Sequence, residues 1–149
     1  MIKLLISLFV LLNTIQIGAQ PSLSSNTQNN IELRISSPTG QITGMRDLDL
    51  KGLNGKTPLE AVRSSAVHLK RGSSLQLRVE TIDSNGVAND VTRHPNTKYD
   101  VVGLGDALHV KDGLVTAPIG GGTRAVKLEI TYELDGKNGY NIIIFTLNP

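Results

Sequence analysis

The sequence predicts an all-β fold, an antiparallel sandwich of about seven to nine strands. Three observations carry that prediction. From Leu69 to Leu147 the chain repeats strand, turn, strand. Val126, Leu128, Ile130, Tyr132 and Leu134 alternate with Lys127, Glu129, Thr131 and Glu133. A period of two puts those apolar residues on one face of a strand, whereas a helix would scatter them. No helical pattern alternates with the strands, which argues against a parallel α/β sheet, and no repeat of fixed period is visible.

Residues 1–19 stand outside this domain. Met1-Ile2-Lys3 supplies one positive charge, Leu4 to Leu12 is apolar apart from Ser7, and Ile17-Gly18-Ala19 ends on a small residue. That order reads as a secretory signal peptide cut after Ala19. An uncleaved anchor is the alternative, but a spanning helix needs roughly 20 apolar residues and this run is shorter. No later segment is apolar enough to span a bilayer, so the mature chain is expected to have no integral membrane segment. The expected destination is extracytoplasmic: periplasm, cell surface or medium.

Cleavage leaves 14 basic and 13 acidic residues, a net charge of +1. That balance gives no long-range attraction to nucleic acid. There is no cysteine, so an exported domain that could have used disulfides must rest on burial alone. About 130 mature residues suffice for a core, and it must be aliphatic. Tryptophan is absent, and Tyr99, Tyr132, Tyr140 and Phe145 are the mature aromatics. The lack of an Asn-x-Ser/Thr sequon is compatible with a bacterial source.

In chain order, Gln20 to Asn30 is a polar, flexible leader, and residues 31–149 form the domain. Ile31, Leu33 and Ile35 alternate with polar residues as a half-buried strand ending at Pro38 and Gly40. Residues 41–65 form an insertion or irregular segment. Leu48, Leu50 and Leu53 suit a short strand. Thr57-Pro58-Leu59-Glu60 has the form of a capping box with proline at the first helical position. It opens either a short helix near 58–64 or an irregular loop. Val67 and Leu69 lead to a turn at Lys70-Arg71-Gly72. Leu75, Leu77, Val79 and Thr81 make a long strand with one wet face. Asp83-Ser84-Asn85-Gly86 is turn chemistry. Val87 and Val91 resume a strand, and Tyr99, Val101 and Val102 form another. Leu108 and Val110 pair across Lys111-Asp112-Gly113 with Leu114 and Val115, Asp-Gly being a favoured hairpin turn. Pro118 to Thr123 is a glycine-rich connector. After the clear strand 126–134, Asp135 to Gly139 turns the chain. Tyr140 to Leu147 is then apolar on both faces in part, which suits a central strand or a covered edge.

The run Leu69 to Val79 resembles the opening of a group 2 bacterial Ig-like domain, the type found in intimin- and invasin-like surface adhesins. Asp90-Val91-Thr92, Leu108-His109-Val110 followed by Gly113 to Ala117, and Gly121-Gly122-Thr123 leading to Val126 resemble that family's later pieces, in order. The resemblance spans about half of the mature chain. Tyr99 stands where the family usually has tryptophan, and the connection from Val102 to Leu108 lacks the usual serine–asparagine step. The resemblance implies an Ig-like sandwich acting as a stalk or adhesive unit, with no family-wide catalytic residues.

The residues themselves point to no catalytic, cofactor-binding or metal-binding group. Gly103-x-Gly105 lacks both a third glycine, since Leu108 stands there, and the following helix that phosphate binding needs. Asp83-x-Asn85 resembles the start of a calcium loop, but Val87 occupies the next ligand position. A hairpin turn is the plainer reading, with Asp83, Asn89 and Asp90 a minor option for a weak surface calcium. His68, His94 and His109 have no metal-ligand spacing. No serine sits in a Gly-x-Ser-x-Gly elbow. Glu129 and Glu133 share a strand face with Lys127, as a solvated face does. Dispersed basic residues without interleaved aromatics do not suit single-strand binding.

The expected function is a non-enzymatic binding, adhesion or structural role for an exported module with a protein or glycan partner. Loops 83–90, 103–107 and 118–123 would be presented by the sheets. A variant is strand addition through Tyr140 to Leu147. The alternatives are an accessory domain of an exported hydrolase or a fragment of a longer surface protein, a small hydrolase of its own, and a virion decoration domain, which the export signal disfavours.

Overall fold

The computed structural model describes residues 30–48, 55–103 and 107–149. The signal peptide and nearly all of the leader, like Leu50, Leu53 and Gly105, lie outside these residues. The described residues form an all-β sandwich with one short helix.

The strands are β1 (Asn30–Ser37), β2 (Gly40–Ile42), β3 (Val67–Lys70), β4 (Ser74–Gln76), β5 (Arg78–Ile82), β6 (Ala88–Asp90), β7 (Thr97–Val102), β8 (His109–Lys111), β9 (Leu114–Thr116), β10 (Arg124–Leu134) and β11 (Lys137–Asn148). The larger sheet runs β6-β5-β1-β11-β10-β7, with β2 also on β1 and β3 also on β11. The smaller sheet runs β4-β9-β8.

The eleven pieces among the described residues exceed the seven-to-nine reading because one long strand changes sheets and the short β2 forms within the segment read as irregular. The predicted strand from Leu75 to Thr81 breaks at Leu77, whose N–H donates to Gly113 O at 2.8 Å. The segment before the break pairs with β9, and the segment after it with β1. Two pairings are parallel, β1 with β11 and β3 with β11, whereas antiparallel pairing alone was expected. Parallel pairing arises because β1 and β3 enter from separate crossovers and flank the final strand at its two ends.

Period-two alternation builds the core. Val126, Leu128, Ile130 and Tyr132 of β10 are buried, as are Ile143, Phe145 and Leu147 of β11. They share one cluster with Leu33, Ile35, Leu77, Val79, Leu108, Val115 and Ala117. The alternation overreaches at its ends. Leu134 and Val87 were expected to face inward, but they are 42% and 54% exposed, because each borders a turn beyond the reach of the opposite layer.

The helix α1 (Pro58–Ser65) forms where the capping box predicts it. Glu60 N–H donates to Thr57 Oγ1, and the Glu60 carboxylate accepts from Thr57 N–H at 2.7 Å. Leu48 follows a 3-10 turn at Met45–Asp47 and is in no strand.

The Tyr140 to Leu147 segment lies inside β11, paired with β10 along its length and flanked by β1 and β3 on the other side. It therefore runs inside the sheet, with β3 on its second side at Phe145–Leu147 and, among the described residues, no strand there between Tyr140 and Ile144. Between β1 and β3, the 3-10 turn closes against β11. Asn141, buried in β11, donates from Nδ2 to Asp47 Oδ2 at 2.9 Å, and Arg46 donates to Tyr140 O at 3.2 Å.

Candidate binding surfaces

The long strands β10 and β11 give the sandwich two ends. One end carries the turn after β3 and the glycine-rich connector 118–123. Here Arg71 donates from Nε and Nη2 to Gly122 O at 3.1 and 2.8 Å. Its backbone N–H donates to Asn148 O, and Gly72 N–H to Ala117 O. A guanidinium fork on one carbonyl fixes both distance and direction, so the connector is clamped on both flanks. Gly120 and Gly121 have φ of 83° and 90°, a region that favours glycine. At the tip Ile119 is 92% exposed.

The other end carries the turn Asp83–Val87 and the Asp135-Gly136 hairpin. Asp83 Oδ1 accepts from the N–H of Asn85 and of Val87, both at 2.8 Å. One oxygen of the carboxylate that opened the calcium-like pattern thus braces its own turn. Between the two hairpins lies an open cleft of about 550 Å³, lined in part by Ile31, Glu32, Ile82, Asp83, Tyr132 and Leu134.

Asp90-Val91-Thr92 is a staple between strands. Asp90 Oδ1 accepts from Thr92 N–H at 2.9 Å and from its hydroxyl at 2.6 Å. Thr92 Oγ1 in turn accepts from Val79 N–H at 2.8 Å, and Val91 N–H donates to Val79 O. From β7, Thr97 Oγ1 donates to Val91 O and Tyr99 OH to Thr92 O. The Thr92 bonds hold the Asp90 carboxyl below the usual range, aided by Arg78. Burial pushes the Tyr99 phenol up, which keeps it a neutral donor. Asp90 and Tyr99 therefore serve the frame.

The remaining candidates stay apart. His68 is exposed on β3 and His109 on β8, while His94 meets Tyr132 edge-on at 5.3 Å between ring centres. Among the described residues no three His, Asp or Glu side chains gather as metal ligands. Gly103 follows β7 and leads toward β8, with no helix among the described residues between them. Glu129 pairs with Lys127 at 2.7 Å, and that contact lowers the carboxyl and raises the ammonium. Glu133 is exposed at the strand end. The two glutamates form no cleft-facing pair.

Two features escaped sequence reading. The Arg71 clamp joins residues 51 positions apart, and nothing in either segment names the other. The cleft joins three separate segments. Ile119 alone had a local signal, a large apolar residue between proline and three glycines. No protein-family model matches this chain, and none of the curated proteins does. No helix among the described residues is long and apolar enough to cross a membrane.

Proposed function

We propose that this chain is an exported, non-catalytic Ig-like module of the group 2 bacterial type, presenting rigid loops to a protein or glycan partner at the envelope or outside the cell. The observation that carries this reading is the clamped connector. Arg71 ties the connector at Gly122 and Gly72 ties Ala117, with Ile119 outward between them. Pre-organised loops lose little entropy on binding, and an apolar anchor on a fixed loop is the usual centre of a contact surface. The resemblance supports it too, because the pieces that carry it fall in order on β3 to β5, the Asp90–Thr92 staple, the β8–β9 hairpin and the entry to β10.

Two measurements test the proposal. Chain recovered from outside the cytoplasm should begin at Gln20 by intact mass; an unprocessed cytoplasmic chain refutes export. The immobilised mature protein should capture a component from panels of host-surface glycans and matrix proteins, and Ile119→Asp should lower that capture at unchanged melting temperature. Uniform silence would leave an architectural role.

A further inference from the structure

The two ends of the sandwich are complementary to each other. At the connector end the described residues of 70–73, 117–124 and 146–149 contain Lys70, Arg71 and Arg124 and no acidic side chain. Arg71 keeps its charge while bonded to a carbonyl, and Ile119 projects from among these cations. At the cleft end, segments 30–32, 81–87 and 132–138 contain Glu32, Asp83, Glu133 and Asp135 against Lys137 alone. The cleft between them has a mixed lining, in which Ile31, Ile82 and Leu134 lie among polar residues and the charges are Glu32, Asp83 and Lys137. Its volume of about 550 Å³ admits an isoleucine side chain with room for its flanking residues.

We infer that the occupant of this cleft is the Ile119 loop of a second copy of this chain, so that copies associate head to tail. The knob is apolar with a cationic collar, and the cleft offers apolar patches at an end of the sandwich where four acidic side chains face one lysine. Charge complementarity of this kind selects the partner and sets the register. The ties at Ala117 and Gly122 limit the freedom that the Ile119 loop loses on docking. Knob and cleft sit at opposite ends of β10 and β11, so one contact leaves a free knob at one end and a free cleft at the other. Such a heterologous contact extends into an open row and does not close into a two-fold pair. A single knob buries far less than a standard interface, so the association is weak in solution and gains strength where copies are crowded on a surface. The inference goes beyond loop presentation to an outside ligand, and the two fail separately: a monomeric chain that still captures a host ligand ends this one alone.

Sedimentation of the mature protein between about 10 µM and about 1 mM tests it, a span suited to weak contacts. The sedimentation coefficient should rise with concentration for the natural chain. Ile119→Asp and Leu134→Asp, both at exposed positions, should each remain monomeric and folded. An equimolar mixture of the two should form a species of two copies and nothing larger, because one variant keeps a cleft and the other a knob. Raising salt from about 50 mM to about 500 mM should weaken the natural association by about threefold or more. As a second pair, Lys70→Glu should lose association and regain it when mixed with Glu32→Lys. A natural chain that stays monomeric throughout, as it would if its own residues 20–29 filled the cleft, overturns the inference. So does failure of the mixed variants to pair.

Discussion

Thr92 is buried, and its hydroxyl supplies the acceptor for Val79 N–H while donating to Asp90. Replacing it by valine keeps the shape and strands a buried backbone donor. Thr92→Val should cost about 1–3 kcal/mol, the penalty of an unsatisfied buried group, read by urea denaturation. Asp90 makes a separate, pH-dependent contribution. Its folded pKa lies below the free value because the bonds from Thr92 favour the carboxylate. The unfolded chain therefore binds the proton first as acid is added. The contribution is complete above the free aspartate value of about 4 and drains as pH falls through the lower folded value. Asp90→Asn, which keeps the acceptor, should flatten the loss of melting temperature as pH falls below about 4. A residual slope should persist, because Glu60 and Glu129 are also held low by their own partners.

Among the elements, two hairpins carry the same Asp-Gly turn in different surroundings. In both, aspartate and glycine take positive φ: 50° and 78° at Asp112-Gly113, 52° and 72° at Asp135-Gly136. Such turns match the twist of the flanking strands. A Cβ on Gly136 would meet nothing within 4 Å, whereas one on Gly113 would lie 2.8 Å from Leu77 O and closer still to the Thr92 methyl. Gly136→Ala should therefore cost about 1 kcal/mol from backbone strain alone. Gly113→Ala should cost more than twice that in the same thermal melts, because it also pushes on the Thr92 staple. Both turns were legible in the sequence, whereas the capping box left a short helix and an irregular loop open, and the structure shows the helix. The difference between the turns was not, since it depends on which segment packs behind each. The break at Leu77 was hidden for a related reason. Apolar alternation continues through it, and only the pull of Gly113 O shows that the strand passes from one layer to the other.

For the whole molecule, β11 is the strand on which the sandwich closes. Phe145 at its middle is fully buried, and Phe145→Ala should cost about 3–5 kcal/mol, enough to unfold a domain of marginal stability without disulfides. The seam between β1 and β3 rests on Gly44 lying against Asn141. A Cβ at position 44 would overlap the Asn141 amide, while the Gly44 φ of −72° suits any residue. Gly44→Ala should thus destabilise by sterics alone, and Asn141→Ala should remove most of that added cost in a double-mutant cycle, since the two residues touch. The amino-acid sequence alone determined the all-β class, the alternating core of β10 and β11 and the hairpin turns. Each is written in a local period or a turn residue, where propensity and burial agree. Only the tertiary structure decided that Tyr140 to Leu147 lies inside the larger sheet, that Arg71 clamps the connector, and that a basic end carrying Ile119 stands opposite an acidic end with a cleft. Those depend on contacts between segments far apart in the chain, and a one-dimensional pattern of apolar and polar residues carries no record of which distant segment becomes a neighbour.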